Sequence, residues 1–230
     1  MSRVAVILTS YNRPTMVQKS INSVLNQKWG DFTLYIMDDN SDESVKQVLK
    51  GFLKDKRVKL FFSDVKNEDR LKTCRYAVLI NQALKMGSEQ FVTYLTDDCG
   101  MYPNKLYDMV YWFDHHLNLN FCYGDQHIIQ NGRIIGTRGN CGIVASPGGI
   151  LDHNQIMFRR RILEKVGYWS EDTSHIGDKD AVWFIEAVRK GFRFYPVGKV
   201  TDWLIWHGKM LGHYLRSGQR ERVVDGSLKE

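Results

Sequence analysis

Continuous apolar runs recur through the first half of the chain at Val4 to Thr9, Phe32 to Met37, Val58 to Phe62 and Phe91 to Leu95. Each has the length and β-branched or aromatic content of a strand. Between them lie segments of helical periodicity: one after Pro14, one after Ser41, and one from about Leu71 to Lys85. Strand alternating with helix predicts a mostly parallel α/β sheet with crossover helices. Pro14 suits a first helical turn, which needs no amide donor, and Ser41-Asp42-Glu43 offers a cap and an acidic first turn. Both helices should therefore start directly after the carboxyl end of a strand.

Beyond Pro103 the pattern changes. A helix is expected from Asn104 to His115, then a glycine-rich, irregular region from Gly124 to Gly149 with Asn131-Gly132 as a hairpin signal. Apolar Gln155 to Phe158 follows, and then two further helices, the second from Ala181 to Lys190. No repeat, low-complexity segment or flexible linker interrupts the chain. The expectation is a single domain over residues 1–230, with a nucleotide-binding half to about residue 100, an acceptor-binding half over about 101–210, and a tail at 211–230.

At 230 residues and 43% hydrophobic content the chain can bury a substantial core. The apolar stretch Val4 to Leu8 is too short for a membrane span and lacks the cleavage region of a signal peptide, so the expected location is cytoplasmic. Cys74, Cys99, Cys122 and Cys141 lie far apart without a CxxC pair, which argues for reduced, mostly buried thiols. The net charge of +6 suits an anionic partner: a nucleotide sugar, a nucleic acid, or a membrane surface touched peripherally. No nucleic-acid module is present, and acidic residues stand at the strand ends. Arg159-Arg160-Arg161, the densest basic run, reads as a solvated face at the start of a helix.

Open parallel sheets bind ligands beyond the carboxyl ends of their strands. Here those ends are Thr9-Ser10-Tyr11-Asn12-Arg13, Asp38-Asp39-Asn40-Ser41 and Thr96-Asp97-Asp98. A carboxylate at Asp39 could accept the ring N–H of a pyrimidine, with Tyr11 as a stacking face and Thr9 as a hydroxyl or backbone contact. Thr9 and Asp39 would equally serve as caps of the following helices. The adjacent carboxylates of Asp97 and Asp98 repel unless a cation compensates them. Mg²⁺ or Mn²⁺ shared with a diphosphate meets that need, and a solvated turn is the plainer alternative. There is no GxxxxGK[ST], no GxGxxG after the first strand, and no acid within that strand, so three other phosphate chemistries are excluded. Arg70 and Arg75 could add positive charge near a diphosphate, or lie on the surface.

Thr-Ser-Tyr-Asn, Met-Asp-Asp-Asn-Ser and Thr-Asp-Asp together resemble the family 2 glycosyltransferases of the GT-A fold, which are nucleotide-diphospho-sugar transferases with a Rossmann-like sheet flanked by helices. The likeness extends to those members that build bacterial spore coat polysaccharide, through Arg75-Tyr76-Ala77, Leu79-Ile80-Asn81-Gln82-Ala83, Asp152-His153, Leu163-Glu164-Lys165-Val166 and Ile176-Gly177-Asp178. It covers roughly residues 1–200 and is loosest over Phe121 to Gly149. The resemblance implies that Thr9, Tyr11 and Asp39 contact the nucleoside, Arg70 assists, Asp97 contacts the nucleotide sugar, and Asp98 binds the metal. Thr96 and Cys99 depart from the family's usual polar or acidic choices.

The resemblance also implies an inverting transfer from a UDP- or dTDP-sugar to a hydroxyl on a glycan or other acceptor, in polysaccharide biosynthesis. A carboxylate must then take the acceptor's proton. Asp178 and Asp180 both stand at the start of the Ala181 helix. The Ile-Gly-Asp match favours Asp178, and spacing back from Lys190-Gly191-Phe192 favours Asp180. His153 is a candidate for the acceptor site and His207 for an additional metal ligand. A catalytically silent nucleotide- or glycan-binding protein of the same fold is the alternative, motivated by Cys99.

Overall fold

The computed structural model describes residues 2–207 except 140, 146, 148, 149 and 176. The expected tail at 211–230, and residue 176 of the Ile-Gly-Asp match, lie outside those residues.

Strand β1 (Val4–Ser10) is buried at every position. It pairs in parallel with β2 (Phe32–Asp38) on one side and with β4 (Phe91–Thr96) on the other, and β2 pairs in parallel with β3 (Val58–Phe62). A strand covered on both faces reads as an unbroken apolar run, which is why the sequence marks it so clearly. Helix α1 (Pro14–Leu25) begins with proline in its first turn, as expected. Helix α2 (Glu43–Lys50) begins after Asp42, whose side chain makes no capping bond. Ser41 was expected to help cap that helix. Instead its amide and hydroxyl both donate to the buried Asp38 carboxylate, at 2.8 and 2.5 Å.

Helix α3 (Arg75–Met86) starts four residues later than periodicity predicts, because a short 3₁₀ turn, Asn67–Asp69, and an irregular stretch come before it. After β4 the chain turns through Asp97 and Asp98 into β5 (Cys99–Met101) and α4 (Lys105–His115). The first part of the region read as irregular, to Arg138, is a hairpin of β6 (Phe121–Gln130) and β7 (Arg133–Arg138). Its turn is Asn131-Gly132, both at positive φ (50° and 75°), as a type I′ hairpin requires.

Strand β8 (Ile156–Arg159) lies antiparallel to both β4 and β6, and α5 (Leu163–Val166) and α6 (Lys179–Arg189) follow. The long strand β9 (Phe194–Ile205), which sequence reasoning missed, runs parallel to β6 and antiparallel to β5. The sheet order is β3-β2-β1-β4-β8-β6-β9-β5, with β7 paired to β6. Gly100 permits the β5/β9 contact, since a Cβ there would collide with the Trp203 ring.

Two cores cover the two faces of the sheet. One gathers Ile7, Tyr94, Leu79, Trp169 and Trp183 around α3 and α6, and the other gathers Val6, Leu8, Ile21, Leu49 and Met109 around α1, α2 and α4. Of the arginine run only Arg161 lies on the solvated face expected. Arg159 is buried, its guanidinium donating to the carbonyls of Leu119 (2.8 Å) and Phe113 (2.7 Å), and half-buried Arg160 donates to those of Glu89 and Leu84. Cys74, Cys99 and Cys122 are buried free thiols and Cys141 is an exposed one. No helix among the described residues is long and apolar enough to cross a membrane.

Candidate active site

Two asparagines in the left-handed region turn the chain at the ends of β1 and β2: Asn12 at φ 51° and Asn40 at φ 59°. Asparagine tolerates that conformation because its short polar side chain can bond locally. Asn12 does so across the two loops. Its amide donates to Ser41 Oγ (2.9 Å), and its Oδ1 accepts from the Asp42 amide (2.8 Å). The loops after β1 and β2 are thereby locked into one wall.

Asp39 lies in that wall, 4% exposed and gripped by two arginines. Arg70 reaches its Oδ2 at 2.5 Å, Arg75 its Oδ1 at 2.8 Å, and Ser63 Oγ donates to Oδ1 at 3.0 Å. Asp39 is therefore no helix cap, and Arg75 is no surface residue. The Arg70 guanidinium also stacks over the Tyr11 ring, 3.8 Å from its centroid. Thr9 is buried in the next strand, level with Met37 of β2 and Thr96 of β4.

The Asp97–Asp98 pair is buried as well, and a residue that sequence reasoning left without a role compensates it. Arg13 Nη1 lies 2.8 Å from Asp97 Oδ1 and 3.0 Å from Asp98 Oδ2. The Tyr11 amide donates to Asp97 Oδ2 (3.1 Å), and Thr96 Oγ1 donates to Asp98 Oδ1 (2.7 Å). His207 Nε2 lies 3.2 Å from Asp98 Oδ2, brought there by β9. Burial pushes Asp97 up to about 6. At Asp98 burial is outweighed by His207, Arg13 and Thr96, which hold it well below the usual carboxylate range. Asp98 is thus the more firmly ionised of the two carboxylates.

A third cluster joins Asp152, His153 and Asp180, whose ligand-type atoms all lie within 4.8 Å of one another. His153 Nδ1 is 3.6 Å from Asp180 Oδ2 and 3.8 Å from Asp152 Oδ1. The ring is walled by Tyr76, stacked at 6.2 Å, and by the edges of Trp169 and Tyr94. Burial opposes a charge on His153, but Asp180 and Asp152 outweigh it and raise its pKa. Asp178, the residue before α6, is exposed and outside this cluster.

Asn154 connects the clusters. Its Oδ1 accepts from the Thr96 amide (2.7 Å), while its own amide and Nδ2 donate to Asp152 Oδ1 at 2.9 and 2.5 Å. Neither Arg13 nor Asn154 announces itself in the sequence; the one signal is that each adjoins a residue singled out on other grounds.

A mostly parallel α/β sheet that gathers acids at the carboxyl ends of β1, β2 and β4 has the architecture of the GT-A nucleotide-diphospho-sugar transferases. Residues 1–349 of S. aureus TarS, in a crystal structure with UDP-GlcNAc, share it with a TM-score of 0.72 at 17% identity, over 90% of this chain and 59% of that one. The chain belongs to Glycosyl transferase family 2, whose model matches residues 5–167. Protein CgeD of Bacillus subtilis is 35% identical over 210 residues, which is 87% of this chain and 49% of CgeD. The Escherichia coli UDP-Glc:alpha-D-GlcNAc-diphosphoundecaprenol beta-1,3-glucosyltransferase WfgD is 32% identical over 133 residues, 58% of this chain and 49% of WfgD. The chain spans about half the length of these relatives.

Proposed function

We propose that this family 2 glycosyltransferase moves a sugar from a UDP-linked donor to an acceptor hydroxyl, with inversion, in the building of a glycan. A dTDP-linked donor meets the same contacts at the pyrimidine ring. The observation that carries the reading is the shared wall of Asp39, Arg70 and Tyr11 beside the buried Asp97–Asp98 pair, linked by the bond from the Tyr11 amide to Asp97. One end suits a pyrimidine nucleoside and the other a diphosphate. The names of the relatives agree, since WfgD uses UDP-Glc and TarS was crystallised with UDP-GlcNAc.

The donor atoms at Asp98 fit a divalent ion. An ionised carboxylate oxygen and an imidazole nitrogen converge there at 3.2 Å, and nitrogen ligation favours Mn²⁺ over Mg²⁺. A metal held by Asp98 and His207 would stabilise the charge on the departing diphosphate. Asp152, His153 and Asp180 also combine oxygen and nitrogen donors, but Asp152 is already committed to Arg138 (3.0 Å) and Asn154. We assign that cluster to proton transfer and to the acceptor side, where His153 was expected.

Asp180 takes the proton of the acceptor hydroxyl. The acceptor oxygen then bonds to the anomeric carbon on the face opposite the diphosphate, and the bond from that carbon to the phosphate oxygen breaks, releasing UDP. Asp180 is preferred to Asp178 because it lies 3.6 Å from His153, in the cluster that Asn154 joins to Thr96, whereas Asp178 is exposed.

Calorimetric titration with UDP and Mn²⁺ tests this reading. Binding should require Mn²⁺ and be lost in Asp98→Ala. A variant that binds as the wild type does, or a wild type that binds no UDP, would defeat it.

A further inference from the structure

Arg13 stands where a metal would have to go. Its Nη1 spans Asp97 Oδ1 and Asp98 Oδ2 at 2.8 and 3.0 Å, and Asp98 Oδ2 is also the oxygen that faces His207. All three side chains of this bridge are nearly buried, at 11%, 8% and 11% exposure. A divalent ion cannot use that oxygen freely while the guanidinium holds it. Resting on the proposed metal–nucleotide reading, we infer that Arg13 is a resident counter-ion that exchanges partners: it neutralises Asp97 and Asp98 before the donor arrives, then turns onto the donor's diphosphate when metal takes its place.

The main chain around Arg13 is fixed. Tyr11 is tied to Asp97, Asn12 to Ser41 and Asp42, and the Arg13 carbonyl accepts from Val17 at 2.9 Å in the first turn of α1. The exchange is therefore a rotation of one long side chain about an anchored Cα. Arginine suits it, because its planar fork matches carboxylate and phosphate oxygens equally well. Charge balance points the same way. Arg13 brings one positive charge to two buried carboxylates, whereas a divalent ion would bring two and free the guanidinium for a diphosphate anionic on both phosphates. Metal alone must displace Arg13 from both carboxylates, whereas metal with nucleotide also brings phosphate oxygens to the guanidinium.

The two halves of the exchange predict opposite effects of one substitution. Mn²⁺ binding without nucleotide, and UDP binding at saturating Mn²⁺, would be measured by calorimetry for wild type, Arg13→Gln, Arg13→Lys and Asp98→Ala. Arg13→Gln should bind Mn²⁺ alone about tenfold more tightly and UDP about tenfold more weakly, the scale of a single charge-assisted hydrogen bond. Arg13→Lys keeps the charge without the fork, so it should stay near wild type for Mn²⁺ and fall between the other two for UDP. If Arg13→Gln needs Mn²⁺ to fold, Arg13→Lys decides: UDP affinity equal to that of wild type overturns the exchange. Losses in both affinities, or no change in either, would reduce Arg13 to a structural residue. Asp98→Ala separates the two ideas. If it abolishes Mn²⁺ binding while Arg13→Gln changes nothing, only the exchange fails; if it binds Mn²⁺ and UDP normally, the metal reading itself fails.

Discussion

The Arg70 guanidinium lies 3.8 Å from the centroid of the Tyr11 ring, so the chain's own cation covers one face of the ring expected to stack on a base. In the proposed complex the platform for the base is the guanidinium plane with Tyr11 behind it. Arg70→Lys keeps the charge but loses the stack and the fork that holds both the Asp39 side chain and its main-chain carbonyl. UDP affinity should fall about tenfold by calorimetry, on the scale of a stacked base contact. Unchanged affinity would remove Arg70 from the nucleoside site.

Asp180 and Asp178 stand two positions apart and are expected to behave differently. Asp180→Asn should lower the rate of sugar transfer by about 10²–10⁴-fold while UDP affinity holds, because a positioned base supplies about that factor. Asp178→Asn should stay close to wild type. Equal losses in radiolabelled-sugar transfer would show that the proton leaves by another route.

His153 ties stability to pH. Burial alone would lower its pKa, but Asp180 and Asp152 prevail and raise it. The folded protein therefore holds a proton that the unfolded chain releases at about pH 6.5. The stabilisation is complete below that pH and is lost as pH rises through the raised value. The melting-temperature gap between wild type and His153→Gln should be widest in acid and narrow in base; a gap independent of pH would mean the pairing contributes nothing.

Lys105 and Asp202 form an ion pair with no exposure at either side chain, and Lys105 Nζ also donates to the Asn154 carbonyl. Lys105→Met leaves Asp202 buried without its cation, a change that costs about 3–5 kcal/mol. Urea denaturation should show that loss, and Lys105→Met/Asp202→Leu should recover much of it, since an apolar pair leaves no charge stranded. If the double variant is no more stable than the single one, packing rather than charge governs the site.

The carboxyl edge of the sheet was legible because each strand of a parallel sheet shows itself as an apolar run, and the polar residue after such a run stands at that edge. Asp39, Asp97 and Asp98 were found that way. Arg13 was not, because an arginine in a loop looks the same whether it meets solvent or, as here, carboxylates 84 and 85 positions away. Strand β9 was hidden for a similar reason. Pro196, Gly198, Lys199, Thr201 and Asp202 break its apolar pattern, and Asp202 is tolerable inside only because Lys105 arrives from a distant helix. The difference between Asp178 and Asp180 likewise shows only through a residue outside their helix, His153, which lies beside Asp180.

The β9 register also sets the order in which the site can be made. Cys99 pairs with Leu204, and the Ile205 amide donates to the Asp98 carbonyl at 2.9 Å, so His207 reaches its carboxylate only after β9 has docked. On the ribosome β1 to β4 and Arg13 emerge before β9 and can settle together first. The imidazole is made about a hundred residues after Asp98. Through that interval the Asp97–Asp98 turn has its arginine counter-charge and lacks its histidine, so the contact of His207 with Asp98 waits on the docking of β9.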